Sequence, residues 1–217
     1  MPTNRLPILI LVMSVVYLFI IPDEPFVFRL FFKLIPMVMI IMYAFRISAG
    51  KKPIAQWLII TGLFFSIIGD GTLHWFLIGL TAFLIGHLFY TAGFLTCWKF
   101  SWIRFAMMIP IAGYAIFMGI DITAALTGGG NEALLIPVIL YIVVIAAMAW
   151  SAVMTGNPWA ALGSILFLIS DSILAWNMFV SPIANSNELV LTTYYGAQFL
   201  IAHSLGTIHD KRNRIVW

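Results

Sequence analysis

Two aspartates, Asp70 and Asp171, lie in stretches of sequence that are otherwise apolar. A charge at the centre of a bilayer costs roughly 3 kcal/mol on insertion scales, so each carboxyl group needs a partner or a proton. Two carboxyl groups in different surroundings can act as the acid and the base of a catalysed reaction. They could also relay ions through a carrier, or form structural pairs with a lysine. We take the two aspartates as the candidate catalytic residues.

Five further polar residues stand in the apolar stretches, namely Lys33, His87, Tyr141, Tyr194 and Gln198. A helix rises about 1.5 Å per residue, so the position of each residue within its stretch predicts its depth in the membrane. Lys33, Tyr141 and Tyr194 fall in the same outer layer as the aspartates. Gln198 falls just beneath that layer, and His87 is deeper. We regard all five as candidate substrate-binding residues.

Each of these five residues also has a purely structural interpretation. Lys33 could extend along its helix to the outer interface alone, without pairing with an aspartate. The tyrosines and Gln198 could form hydrogen bonds between helices. A histidine on an apolar helix is more often a packing residue than a ligand. The residue types alone leave these alternatives open.

Two prolines fall close to the polar layer. Pro36 follows Lys33 by three positions, and Pro137 precedes Tyr141 by four. A proline inside a helix removes one backbone N–H and leaves a carbonyl group unpaired. Such a break is tolerated at membrane depth where the helix lines a polar cavity, so we expect both helices to border one.

The composition places these residues in a membrane. Of the 217 residues, 63% are hydrophobic and only 9% are charged, whereas roughly a quarter are charged in a soluble domain. A helix that crosses the hydrocarbon core needs about 20 mostly apolar residues, and this length holds about eight of them. We therefore predict an all-α integral membrane protein that forms a single eight-helix transmembrane domain over residues 1–217.

Hydropathy predicts the bounds of these eight transmembrane helices. They are residues 6–22, 27–45, 54–73, 75–98, 103–122, 132–153, 159–180 and 188–208. An exposed loop is expected at residues 127–131, which read TGGGN. With a cytoplasmic N-terminus most Lys and Arg residues fall on the cytoplasmic side, so the positive-inside rule predicts that both termini are cytoplasmic.

An internal repeat relates the third and seventh predicted spans. Five residues recur at a constant offset of 101 positions: Gly62, Ile68, Asp70, Leu73 and Trp75 match Gly163, Ile169, Asp171, Leu174 and Trp176. Because both spans would run in the same direction, the pattern predicts a parallel repeat of four plus four helices about an axis along the membrane normal.

Several familiar catalytic centres are missing from the sequence. It contains no G-x-S-x-G elbow, no H-E-x-x-H helix and no Walker loop, which argues against serine-hydrolase, zincin and nucleotide-driven mechanisms. The single cysteine, Cys97, forms no intramolecular disulfide and no metal cluster is evident. The small net charge of +3 gives no sign of nucleic-acid binding. We expect no metal and no cofactor.

Several short motifs resemble the YhhN family of lysoplasmalogenases, also called the transmembrane protein 86 family. They are SIIGD at residues 66–70, GLTAFLIGHLFY at residues 79–90, Tyr141, SDS at residues 170–172 and TYYGAQ at residues 193–198. The resemblance extends over nearly the whole chain. It implies an eight-helix enzyme that hydrolyses the vinyl ether bond of lysoplasmalogens and releases a fatty aldehyde and glycerophospho-ethanolamine or -choline.

The implied reaction suits a pair of carboxyl groups. Vinyl ether hydrolysis begins with proton transfer to the outer alkene carbon, and water then captures the resulting oxocarbenium ion, as in glycoside hydrolysis. We predict that Asp171 is the acid because it is deeper, and that Asp70 is the base because it is nearer Lys33 and water. Lys33 would keep Asp70 ionised or bind the lipid phosphate. The two tyrosines and Gln198 would orient the ether oxygen or water.

The expected partners are a lysophospholipid substrate and the lipid bilayer, with the inner membrane of a bacterial cell as the location. The main alternative is a proton-coupled transporter of a small molecule or lipid, since buried carboxylates on repeated helices also suit ion relays. A third possibility is a lipid-binding or scaffold protein without catalytic activity.

Overall fold

The computed structural model describes residues 5–22, 24–48 and 53–208 of the chain. Within these residues the chain forms nine α-helices joined by turns and short 3₁₀ segments. The helices are α1 (Leu6–Phe19), α2 (Phe26–Ile47), α3 (Pro53–Thr72), α4 (Phe76–Leu95), α5 (Trp102–Ala106), α6 (Met108–Gly128), α7 (Leu135–Met154), α8 (Pro158–Phe179) and α9 (Ser186–Thr207).

Within the described residues, six segments are long and apolar enough to cross a membrane. They are Phe26–Ile47, Ile54–Thr72, Phe76–Leu95, Trp102–Gly128, Glu132–Met154 and Pro158–Phe179. Helix α1 is apolar but has only 14 residues, whereas about 20 are needed to span the hydrocarbon core. Helix α9 is long enough at 22 residues but more polar. The chain is a multi-pass membrane protein, and the spanning of α1 and α9 stays a prediction.

The orientation in the membrane also stays a prediction. Much of the charge bias that supports cytoplasmic termini comes from Lys51, Lys52, Lys211, Arg212 and Arg214. These five residues lie outside the part of the chain that the structure describes.

The fifth predicted span is divided into α5 and α6, with a turn at Met107. Pro110 has no N–H to donate to the carbonyl group of Ala106, so a continuous helix would lose a hydrogen bond there. Helix α6 then continues to Gly128, beyond the expected end at residue 122. The predicted loop at residues 127–131 is therefore shorter than expected, and its turn uses Gly130 at a φ of 72°, which favours glycine.

The two aspartate-bearing helices each have one dominant partner. Helix α3 packs along α4, and α8 packs along α9. A Cβ added at Gly62 would lie 3.0 Å from the carbonyl oxygen of Gly86, and one at Gly163 would lie 3.0 Å from that of Ala197. Small residues thus let the backbones approach closely in both pairs, as is common where membrane helices pack.

The remaining helices surround these two pairs. Helix α2 packs on α9 and α7 packs on α4, while α1 lies against α2 and α6 lies against α7. Most buried side chains belong to one large core. Met118, Ile122 and Leu126 of α6 form a second apolar cluster with Val138 of α7. Residues of both clusters line one cavity, which therefore lies where the two clusters meet.

Candidate active site

A cavity of about 100 Å³ is lined by residues of α2, α3, α4, α6, α7, α8 and α9. Its walls are mostly apolar, and its polar lining includes Lys33, Asp70, Tyr141, Asp171 and Tyr194. One water molecule needs roughly 10–15 Å³ of such space, so the cavity can hold several waters or part of a larger ligand. Both aspartates and three of the five predicted binding residues thus border the same space.

Asp70 is held in an ion pair at one side of this cavity. The Nζ atom of Lys33 lies 3.2 Å from Oδ1 of Asp70, and the hydroxyl of Tyr194 donates to Oδ2 at 2.6 Å. Only 3% of the Asp70 side chain is exposed. Lys33 therefore pairs with Asp70 and does not extend alone to the interface, which decides between the two interpretations of this lysine.

The backbone of Lys33 has a partner of its own. Tyr195 of α9 donates a hydrogen bond to the carbonyl oxygen of Lys33 at 2.8 Å. Pro36 lies one turn further along α2 and is buried, and its missing N–H weakens the backbone pairing of that turn. The tyrosine hydroxyl supplies a donor near this break, so α9 fixes both the backbone and the counter-ion of the lysine.

Pro137 does not have the effect that the sequence predicts. It is the third residue of α7, which begins at Leu135 after a 3₁₀ turn. The N–H groups of the first helical turn have no partner within the helix, so proline is tolerated there without loss of a hydrogen bond. The expectation of an unpaired carbonyl beside Tyr141 is therefore wrong.

Asp171 has a different set of partners. The hydroxyl of Tyr141 donates a short hydrogen bond to Oδ2 of Asp171. The Nε2 atom of His87 lies 2.9 Å from the Tyr141 hydroxyl oxygen and 3.6 Å from the same carboxylate oxygen. Among the described residues, Asp171 has no lysine or arginine partner. Asp70 thus has the ammonium group of Lys33 beside it, whereas Asp171 has Tyr141 and His87.

The two aspartates differ in exposure within the fold. Of the Asp171 side chain 17% is exposed, compared with 3% for Asp70, because Lys33 and Tyr194 cover Asp70 at its side of the cavity. The predicted order of their depths in the membrane stays a prediction.

Gln198 and His87 do not line the cavity, although both are fully buried. The side-chain carbonyl of Gln198 accepts a hydrogen bond from Tyr90 at 2.7 Å, and the Tyr90 hydroxyl lies 3.3 Å from that of Ser66. Gln198 is therefore part of an interhelical network behind the cavity. The Nε2 atom of His87 contacts the Tyr141 hydroxyl and lies beside the Asp171 carboxylate.

Tyr114 of α6, which is not among the residues predicted from the sequence, also lines the cavity. This residue is 37% exposed, so the cavity wall at Tyr114 also forms part of the outer surface of α6. A tyrosine within an otherwise apolar span is the feature of the sequence that could have indicated this residue. Ser170 and Ser172 also line the cavity, but their hydroxyls donate to the carbonyl oxygens of Val190 and Leu168 at 2.8 and 2.7 Å.

No group of three or more His, Cys, Asp or Glu side chains is arranged to hold a metal ion within the described part of the chain. The polar groups that line the cavity include carboxyl, hydroxyl and ammonium groups. Two carboxyl groups with different partners can give and take a proton in turn.

Apolar helices that enclose two carboxyl groups in one cavity define a multi-pass membrane protein with a polar site among its helices. The chain belongs to the YhhN family, which it matches over residues 28–205. It is 30% identical over 200 residues to lysoplasmalogenase TMEM86B of Sus scrofa, covering 88% of this chain and 82% of that protein. Its identity to lysoplasmalogenase TMEM86B of Mus musculus is 28% over 197 residues, with the same coverage.

Lysoplasmalogenase TMEM86A of Homo sapiens is 31% identical to this chain over 170 residues, which covers 67% of this chain and 64% of that protein. No solved structure matches the chain significantly. The comparisons therefore place it in a family whose curated members carry the name of one enzymatic activity.

Proposed function

We propose that this chain is a lysoplasmalogenase, a membrane-embedded hydrolase that cleaves the vinyl ether bond of a lysoplasmalogen. The products would be a fatty aldehyde and glycerophospho-ethanolamine or -choline. The observation that carries this proposal is that Asp70 and Asp171 line one cavity with different partners. The names of the relatives in the YhhN family support the same activity.

The different partners support different roles for the two aspartates. Asp70 pairs with the ammonium group of Lys33, an arrangement that suits a carboxylate base. Asp171 contacts Tyr141 and His87 and has no lysine or arginine partner among the described residues. We therefore assign Asp171 as the general acid and Asp70 as the base that stabilises the cation.

The reaction proceeds in three steps. Asp171 transfers its proton to the alkene carbon that is not bonded to the ether oxygen. The other alkene carbon and the ether oxygen then form an oxocarbenium ion. Asp70 takes a proton from water as the water oxygen adds to the cationic carbon, which gives a hemiacetal. Asp171 then accepts the hemiacetal hydroxyl proton, Asp70 protonates the departing glycerol oxygen, and the carbon–oxygen bond breaks. Both carboxyl groups return to their starting states.

The apolar part of the cavity suits the single hydrocarbon chain of a lysolipid. Met118 and Ile122 of α6 face Val138 and Ile142 of α7 in this part. Helix α6 packs mainly against α7 and to a lesser extent against α8. Together with the exposure of Tyr114, this loose packing supports entry of the substrate from the bilayer beside α6.

The contacts between helices support the proposed repeat of four plus four helices. In such a repeat α2 corresponds to α7, α3 to α8, and α4 to α9. The pairs α3–α4 and α8–α9 then correspond, as do α2–α9 and α7–α4, and all four pairs pack together. Rotation about the axis of the repeat would place α2, which carries Lys33, on α7, which carries Tyr141. The two aspartates would then be equivalent positions that have acquired different partners.

The test is to incubate the purified protein with four lysolipids and to measure free aldehyde and free fatty acid. The lipids are the vinyl ether forms with ethanolamine and choline head groups, an alkyl ether and an ester. We expect aldehyde from the vinyl ethers alone. Fatty acid from the ester without aldehyde would instead indicate a lysophospholipase. Uptake of intact lipid into vesicles along a proton gradient, without a product, would favour the carrier.

A further inference from the structure

His87 is a buried residue behind the cavity. It is 0% exposed and lies on α4. Its Nε2 atom is 2.9 Å from the hydroxyl oxygen of Tyr141, and that hydroxyl in turn contacts Oδ2 of Asp171. Imidazole, phenol and carboxyl group therefore form a continuous hydrogen-bonded chain from the protein interior to the cavity.

The packing of His87 does not by itself account for an imidazole at this position. Its ring lies edge-on to Phe167, with 4.7 Å between the ring centroids, as an apolar ring could. Its Nδ1 atom is buried and has no hydrogen-bond partner within the described residues. An unpartnered buried polar atom costs free energy and is uncommon in folded proteins. An aromatic or aliphatic side chain would avoid that cost, so the Nε2 contact is the feature that requires a histidine.

The chain of three groups can hold a proton at either end. With Asp171 ionised and His87 protonated, Nε2–H donates to the Tyr141 oxygen and the Tyr141 hydroxyl donates to Asp171. If the Nε2 proton moves to Tyr141 and the Tyr141 proton moves to Asp171, the result is a neutral imidazole and a protonated carboxyl group. Only two protons change position, and the two opposite charges disappear together.

We propose that His87 is a positioning residue that stores, and supplies through Tyr141, the proton that Asp171 delivers to the substrate. This inference rests on the proposed function. Asp171 donates its proton to the alkene carbon and later accepts the hemiacetal proton, which the relay returns to His87. The cycle therefore needs no external proton. Asp70 has no such relay, because its partners are Lys33 and Tyr194.

The groups around the imidazole define what a pH experiment would report. They are Tyr90 on the same helix, with 6.3 Å between ring centroids, Tyr141 on α7 and Asp171 on α8. The pair formed by Lys33 and Asp70 borders the same cavity from α2 and α3. The titrations of interacting groups are coupled, so the steps of a kcat profile belong to the set of groups and not to one residue. Loss of His87 should therefore change the shape of the kcat profile.

The first experiment measures kcat and KM from pH 5 to pH 9 for His87→Gln, Tyr141→Phe and the double variant, with a vinyl ether lysolipid. We expect kcat to fall by about 100-fold, with KM within threefold. The shape of the His87→Gln pH profile should differ from that of the wild type. The double variant should be no worse than the more impaired single variant, because both remove the same relay. Additive losses, or an unchanged profile, would overturn the relay.

The chain offers a matched control for these variants. His203 of α9 contacts the hydroxyl of Tyr43 at 2.7 Å through Nδ1, and neither residue lines the cavity. His203→Gln and Tyr43→Phe remove the same chemical groups from another, partly buried pair. We expect both to keep kcat within twofold of the wild type and the shape of the pH profile unchanged. A loss as large as that of His87→Gln would show that the effect is a general consequence of packing.

A second measurement does not require turnover, so it separates failure of the relay from failure of the proposed function. The ¹⁵N resonance of His87 Nε2 is recorded in histidine-labelled protein. Asp171→Asn should shift this resonance through Tyr141, and Asp70→Asn should leave it nearly unchanged. An Nε2 signal that does not respond to Asp171→Asn would refute the relay whether or not the protein releases aldehyde.

Discussion

Tyr194 donates a hydrogen bond to Oδ2 of Asp70 across 124 positions of sequence, at 2.6 Å. The bond joins α9 to α3 and holds the carboxylate that Lys33 neutralises from α2. Three helices thus converge on one carboxyl group, and its geometry depends on how all three are packed.

Removal of the Tyr194 hydroxyl should weaken the site without destroying it. Tyr194→Phe keeps the ring but removes a hydrogen bond to a charged group, which contributes about 1.5–3 kcal/mol. We expect a lower Tm in detergent and a kcat reduced about tenfold, because Asp70 keeps Lys33 but loses its second restraint. Tyr43→Phe, away from the cavity, is the control for Tm and kcat. An unchanged kcat for Tyr194→Phe would show that its hydroxyl does not contribute to catalysis.

The two aspartates should differ when each is replaced by asparagine. Both variants should lose measurable aldehyde release, because neither amide can transfer a proton as required. Asp70→Asn should also lower Tm, since it leaves the Lys33 ammonium group without a counter-ion, whereas Asp171→Asn should nearly retain the wild-type Tm. Asp121→Asn, on α6 and outside the cavity lining, serves as the control. Retained turnover in either cavity variant would refute the mechanism.

The ion pair of Lys33 and Asp70 should show strong coupling in a double-mutant cycle. Lys33→Met alone leaves a carboxylate without its cation, and Asp70→Asn alone leaves the cation. The double variant removes both charges, so we expect it to be more stable than the sum of the single losses predicts by about 1–3 kcal/mol. Its catalytic activity should remain absent. Additive losses of unfolding free energy would mean that the pair contributes nothing.

The contact of α8 with α9 should not tolerate a methyl group at Gly163. A Cβ there would lie 3.0 Å from the carbonyl oxygen of Ala197 and from the backbone nitrogen of Ile201, and backbone atoms cannot turn aside as side chains can. We expect Gly163→Ala to destabilise the fold by about 1–3 kcal/mol, measured as a lower Tm. Gly113→Ala, where a Cβ meets nothing within 4 Å, should leave Tm unchanged or raise it.

The apolar end of the cavity should control the binding of the hydrocarbon chain. Ala115 of α6 lines the cavity, whereas its neighbour Ile116 is 63% exposed on the lipid-facing surface. Ala115→Phe should fill the cavity and raise KM about tenfold for long-chain lysolipids, with a smaller effect on short-chain ones. Ile116→Phe adds the same ring beside it and should change KM little. Equal effects of the two variants on KM would show that the hydrocarbon chain of the substrate binds elsewhere.

Much of the architecture follows from local properties of the sequence. The observed helices agree with the predicted spans to within a few residues, except at α5 and α6, where Pro110 breaks the helix. The backbone of a membrane helix satisfies its own hydrogen bonds within one segment, so apolar length and breaking residues are enough to predict such helices. The grouping of Asp70 and Asp171 with Lys33, Tyr141 and Tyr194 also followed from counting residues along each helix.

The depth of a residue along its helix does not determine the direction of its side chain. The tertiary structure decided which polar side chains meet. The sequence favoured Asp70 as the partner of Lys33 but left open whether the lysine extends alone to the interface, and the packing of α2 against α3 brings it to Asp70. His87 was placed deeper than the polar layer, yet Tyr141 connects it to Asp171. Rotation about the helix axis and the choice of neighbouring helix depend on contacts between distant segments, which composition and spacing within one segment do not specify.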